Sequence, residues 1–173
     1  FTQRIQDYIS TETGSRGNDG TAKVWGYSAD TSYHWGQLES RAGVILSRPS
    51  LNGEPLGDSD MALGTATGRT WTTGLDYHFI DNRIELGWTG RAIERLTEVK
   101  NGTAEKPGYA LHDVYISWQP VANTDFDLKF AVNNLFDKQY VDQASFGYSS
   151  RFSQVIGVPE ASRDFRLTAS MRF

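Results

Sequence analysis

No cysteine occurs among the 173 residues. That removes disulfide staples, thiolate nucleophiles and cysteine-based metal sites, and it leaves the redox compartment open. Basic charge is not in excess either: 17 Lys and Arg stand against 21 Asp and Glu, a net charge of −4. A nucleic-acid binder would carry a basic patch or stripe, so this balance argues against one. No apolar run is long enough for a membrane helix. Phe1 is not a Met and opens no charged-then-apolar leader, so a processed or truncated chain is expected. GxSxG, HExxH, P-loop and GxGxxG motifs are all missing, and no pair of carboxylates is spaced to face a cleft. No enzyme is expected.

What the chain has in abundance is rings: five Trp, eight Tyr and nine Phe, at a low mean hydropathy. They fall on alternating positions, the period of a β-strand with two unlike faces. Trp25, Tyr27, Ala29, Thr31 and Tyr33 share one parity, with Ser28, Asp30 and Ser32 on the other. Trp71, Leu75, Tyr77 and Phe79 oppose Thr72, Asp76 and His78, while Ile84, Leu86, Trp88 and Ala92 oppose Glu85, Thr89 and Arg91. Leu38 to Leu46, Val114 to Trp118, Phe126 to Val132 and Phe165 to Phe173 alternate in the same way. With an opening strand near Thr2–Ile9, about eight antiparallel strands are predicted. A soluble two-sheet sandwich with an aromatic core, such as a carbohydrate-binding domain, and a transmembrane β-barrel with rings facing lipid both satisfy this periodicity.

The connections differ between the two ends. YHWG (Tyr33–Gly36), FIDN (Phe79–Asn82) and PVANTD (Pro120–Asp125) read as tight polar turns. Between them lie longer polar linkers, near Ser10–Thr21, Arg48–Thr70, Thr97–Gly108 and Val141–Ser162. Consecutive hairpins collect the short turns at one end and the long loops at the other. That asymmetry is the one outer-membrane barrels show, with short periplasmic turns and long extracellular loops. Lys129, Arg91, Arg166 and Arg172 then face a polar lumen. Tyr33, Trp35, Tyr77, Phe79, Trp118 and Phe126 form an interfacial girdle beside the short turns. Leu86 and Leu128 are placed on the lipid face near the bilayer midplane.

Four stretches carry a family resemblance. LKFAVNNLFDKQYVD (Leu128–Asp142) resembles the penultimate strand, "NLFDKxY", of TonB-dependent outer-membrane receptors. SRDFRLTASMRF (Ser162–Phe173) is similar to that family's last strand, ending on an aromatic residue. KVWGYSADTSYHW (Lys23–Trp35) and GYALHDVYISWQP (Gly108–Pro120) resemble two earlier strands, in family order. Ser28 and Ser162 depart from the usual Glu and Gly, both small polar replacements. The resemblance implies that residues 1–173 are about the last eight strands of a 22-stranded barrel, with a plug domain and the earlier strands preceding Phe1. It also implies the outer membrane as location, import driven through the TonB complex, and a terminal aromatic, Phe173, read by the barrel-assembly machinery. LNGEPLGD (Leu51–Asp58), with the two motifs around it, resembles the haem, haemoglobin and haemophore receptor subgroup. Ferric-siderophore receptors share the C-terminal motifs and less of that loop. A passive porin fits the penultimate strand poorly.

Haem requires an axial ligand, commonly His or Tyr. His34 and His78 sit beside short turns, away from an extracellular ligand, and His112 has the lipid-side parity, so all three read as structural. The last long loop offers Phe146, Tyr148 and Phe152 as candidate contacts for ligand or a carrier protein, since rigid rings give contact area at low entropic cost. The same rings could instead fold onto neighbouring loops. GDSDM (Gly57–Met61) lacks a complete calcium loop, so no metal and no intrinsic cofactor are expected. NGT (Asn101–Thr103) matches a glycosylation sequon without consequence for a bacterial envelope.

Overall fold

In the computed structural model, residues 1–10, 17–56, 66–100, 105–121, 126–145, 147–149 and 154–172 are described. Eight long strands follow one another as neighbours in chain order. They are β1 (Thr2–Ser10), β2 (Gly17–Trp35), β3 (Leu38–Leu51), β5 (Thr70–Phe79), β6 (Ile84–Ile93), β7 (Tyr109–Trp118), β8 (Phe126–Asn133) and β11 (Asp164–Met171). Each pair is antiparallel. The short β4 (Glu54–Pro55) folds back on β3, and β9 (Gly147–Ser149) pairs with β10 (Gln154–Ile156) as a separate hairpin. The all-β meander is as read from the sequence. Helical structure among the described residues is one 3-10 turn, Ile80–Asn82.

The turns show why the chain reverses where it does. Trp35 still pairs with Leu38, so the first short turn is Gly36 and Gln37 rather than Tyr33–Gly36. A two-residue hairpin needs positive φ, and Gly36 supplies it at +60°. At the next turn Arg83 takes φ 51°, and its N–H closes on the Ile80 carbonyl at 3.3 Å.

Two predicted linkers are shorter than expected because strand pairing invades them. The Asn52 side chain accepts from the Thr21 N–H at 2.9 Å and donates to the Asp19 carbonyl at 2.7 Å. That bond pair holds the start of β2 against the end of β3. At 19 residues β2 extends to about 60 Å, whereas a barrel strand crosses a bilayer in about 10 residues. Its upper half therefore stands beyond any membrane, at the long-loop end.

Register settles the two faces. Leu38 pairs with Tyr77, Tyr77 with Leu86, Leu86 with Ile116, Ile116 with Phe130 and Phe130 with Leu167, one apolar row across six strands. The opposite face carries His34, Glu39, Asp76, Gly87, Tyr115, Ala131 and Arg166, likewise paired in series. Trp35, Leu167 and Tyr33 are 74%, 75% and 67% exposed, and the remaining large side chains of the first face are mostly exposed too. A contiguous apolar face of this size needs a non-aqueous neighbour. Among the described residues the only other sheet is the β9–β10 hairpin, far too small to be the second layer of a sandwich. Charges return to this face at Arg69 and Glu94, which bracket the apolar run on β5 and β6.

One placement needs correction. Leu86 and Leu128 are each the third residue of their strand from the short-turn end, not its middle. Hydrogen-bonding length, rather than apolar character, sets depth, and the strand centres on the apolar face fall nearer Trp88, Val114 and Phe130.

Candidate functional site

The polar face has two organised regions. Near the short turns, Asp76 is buried on β5 and receives the Arg41 guanidinium from β3. The Tyr115 hydroxyl lies between Asp76, at 2.7 Å, and Glu85, and has one proton to offer the two carboxylates. Glu85 also meets His78 Nδ1 at 3.2 Å, and Lys129 lies 3.9 Å from the Tyr115 ring centroid. Tyr115 fits because its cross-strand partner is Gly87, where a Cβ would stand 1.9 Å from the ring. The result is a belt of alternating charges on the inner wall, as a wet or plugged lumen requires.

At the long-loop end the chain folds inward. Ile93, Tyr109 and Leu111, all on the polar parity, form a small buried cluster covered by Tyr140. The residues that carried the family resemblance supply the cover. Asn134 takes φ 52°, and its backbone N–H donates to Asp113 Oδ1 at 2.7 Å. Its side chain clamps the next turn, accepting from the Lys138 N–H and donating to the Lys138 carbonyl. Asp137, also at positive φ, accepts from the Arg163 N–H and ties the turn to the entry of β11. Tyr140 packs on Tyr109 with centroids 4.4 Å apart, and the Tyr109 hydroxyl donates to Asp142 at 2.7 Å. The motifs at Gly108–Asp113 and Asn133–Asp142 are thus two halves of one clasp.

Gln143 completes it from a fully buried position. Its Oε1 accepts from the Gly68 N–H at 2.6 Å, and its Nε2 donates to the carbonyls of Glu94 at 2.9 Å and Pro107 at 3.0 Å. Buried Lys106 donates to the Gln143 carbonyl at 2.9 Å. One side chain therefore joins the bases of three long loops. Burial pushes the Tyr140 phenol above its ordinary pKa; the Arg91 guanidinium opposes this, while Glu160, Asp142 and Asp113 add to it. The phenol stays protonated and acts as packing surface.

The three histidines stand on different strands. His34 pairs with Glu39 beside the first short turn, His78 meets Glu85, and His112 stacks on Trp88 and meets Phe136 edge-on. Among the described residues no cluster of His, Asp and Glu could hold a metal ion. Phe146, Phe152 and Phe173 lie outside the described residues, as do Gly57–Met61 and Asn101–Thr103. The backbone of Tyr148 lies in β9, opposite Val155. Sequence reasoning missed Gln143 and Lys106, whose partners are mostly backbone groups far along the chain.

An inner wall of paired charges, an outer wall of rings and sorted loops define one wall of a membrane β-barrel. The family described as TonB dependent receptor-like, beta-barrel, matches residues 1–135, and the chain belongs to it. Its members are outer-membrane receptors and transporters of bacteria rather than enzymes. The heme transporter BhuA of Brucella abortus is 23% identical over 181 aligned positions, covering 100% of this chain and 27% of BhuA. The hemin receptor of Yersinia pestis is 26% identical over 147 positions, covering 81% of this chain and 21% of the receptor. Among solved structures, the FrpB iron transporter of Neisseria meningitidis (F3-3 variant) superposes with a TM-score of 0.80 at 27% identity, over 99% of this chain and 27% of FrpB. The chain thus spans about a quarter of the length of the relatives it matches.

Proposed function

We propose that this chain is the C-terminal wall of an outer-membrane receptor that imports haem, free or from a carrier such as a haemophore or haemoglobin, with energy delivered through TonB. The observation that supports haem is the alignment of the chain along its whole length with a heme transporter, and over 81% of it with a hemin receptor. In this reading the plug and the earlier strands belong to the same polypeptide, and the ring-bearing loop with Phe146, Tyr148 and Phe152 faces the ligand or its carrier. The clasp around Gln143 would hold the roots of that loop and its neighbours in place. A ferric chelate is the second reading, favoured by the likeness to the FrpB iron transporter.

The test is growth of a strain lacking the full receptor, with haemin or a ferric siderophore as sole iron source. Loss of growth on haemin alone, restored by the receptor only when TonB is present, is the expected result. Loss on the siderophore alone would replace haem by the chelate.

Phe173 is proposed as the assembly signal of the last strand. An open strand edge in lipid leaves backbone groups unpaired, so the closing strand must be delivered correctly. Phe173→Ala in the full receptor is expected to lower outer-membrane abundance severalfold, with binding per folded receptor unchanged. Quantitative blotting of membrane fractions beside a binding isotherm measures both. Normal abundance with weakened binding would move Phe173 from assembly to recognition.

A further inference from the structure

Arg91 is a cation of the inner wall that stands apart from the paired belt. It lies on β6 with the polar parity, is exposed, and forms no ion pair among the described residues. Arg41, two strands away, is held by Asp76 and approached by Glu39 at 3.9 Å. Arg91 pairs across the sheet with Thr72 and Leu111, one step below the buried Ile93 and Tyr109. It therefore sits just inside the long-loop mouth, one step along the sheet from the Tyr109–Tyr140 stack.

The surface in front of it is concave. A hollow of about 780 Å³ spans the inner faces of β2, β3, β5, β6 and β7. Gly43 and Gly74 leave its floor without side chains, and Ser32, Thr72 and Thr89 line it with hydroxyls. Two carboxylates also line it: Asp113, which already accepts from the Asn134 N–H, and Asp30 on β2, three strands away from Arg91. All five strands are complete in the described residues, so the hollow is bounded by whole strands. An exposed guanidinium presents a planar fork of donors that matches a carboxylate, and hydroxyls beside it can donate to the remaining lone pairs.

We propose that Arg91, with the Thr72 and Thr89 hydroxyls, forms a binding site on the inner wall for a carboxylate group of the iron-bearing ligand. The inference rests on the import reading above and adds the chemical group that is recognised and the residue that recognises it. It predicts a preference for ligands whose carboxylates are free.

The experiment uses the full receptor, purified in detergent, as wild type, Arg91→Gln and Arg91→Lys, with heat-modifiable migration confirming a folded barrel in each. Binding is titrated with haemin, haemin dimethyl ester and ferric citrate, a carboxylate-rich chelate. Wild type is expected to favour haemin over the diester, and Arg91→Gln to lose about tenfold in haemin affinity while binding the diester as before. Arg91→Lys keeps the charge without the fork and should fall between the two. If wild type binds ferric citrate and not haemin, the haem reading fails, and the Arg91 site stands on a matching loss with ferric citrate in Arg91→Gln. Unchanged affinity of Arg91→Gln for every carboxylate-bearing ligand that wild type binds overturns the proposal. So does wild type binding none of the three. A variant that loosens the barrel but leaves ligand affinity intact overturns it too, and assigns Arg91 to contact with the plug.

Discussion

An arginine placed at Val114 in the full receptor is expected to destabilise the barrel by roughly 2–4 kcal/mol, the cost of a cation near the bilayer midplane. Val114 lies at the centre of β7, between Trp88 of β6 and Val132 of β8 on the apolar face. Its side chain has no water to reach without dragging a defect into the hydrocarbon. The same substitution at Leu128, near the short-turn end of β8, should cost much less, towards the roughly 0–1 kcal/mol seen near an interface. Thr89→Arg points into the lumen beside Asp113 and should be mild. Denaturant midpoints in lipid vesicles give all three values. Equal costs at Val114 and Thr89 would contradict the assigned faces.

The second large effect is expected at Gln143. Replacing it by Ala leaves the buried Gly68 N–H without its acceptor and the part-buried Glu94 and Pro107 carbonyls without their donor. Each buried orphan costs about 1–3 kcal/mol, and partial rehydration should hold the total to about 3 kcal/mol. Because β5, β6 and β7 keep their ladders, the loss should be local. Hydrogen exchange is expected to quicken at Gly68 and around Leu96–Lys106, with protection at Leu86 and Ile116 unchanged. Gln143→Glu keeps the acceptor for Gly68 and loses both donations, so it should recover only part of the protection. Uniform loss across the sheet would make Gln143 a general stability residue rather than a loop clasp.

What could be read from the sequence was whatever repeats with period two and differs chemically between faces. Trp71, Leu75 and Tyr77 against Thr72 and Asp76 leave one arrangement of β5, since a slip of one residue would bury the carboxylate in lipid. Strand ends were less legible. Tyr33 to Trp35 looked like a turn because polar and aromatic residues crowd there, yet pairing continues until Gly36 provides the needed φ. The start of β2 was likewise hidden among Gly and Asn, and only the Asn52 side chain, just past the end of β3, shows why it pairs.

The site was legible in pieces. The motifs holding Tyr109 and Tyr140 were both visible, but their stacking is a tertiary fact, as is the bond from the Asn134 N–H to Asp113. Gln143 had no sequence signal, because a glutamine that bonds to backbone carbonyls asks for no particular partner residue. Arg91 falls on the polar face, as its parity reads, while its separation from the paired belt needed the register of five strands.

The central claim is that this sheet is one wall of a membrane barrel, with lipid on one face and a polar lumen on the other. The 173 residues contain no cysteine, so single cysteines along Ile84–Ile93 can carry spin labels in the full receptor once any cysteines elsewhere are removed. Collision with oxygen, which concentrates in hydrocarbon, is compared with collision by a water-soluble nickel chelate. Labels at 84, 86, 88, 90 and 92 should favour oxygen, and those at 85, 87, 89 and 91 should not, with the contrast strongest near Trp88. Alternation in the opposite phase, or none at all, would contradict the account.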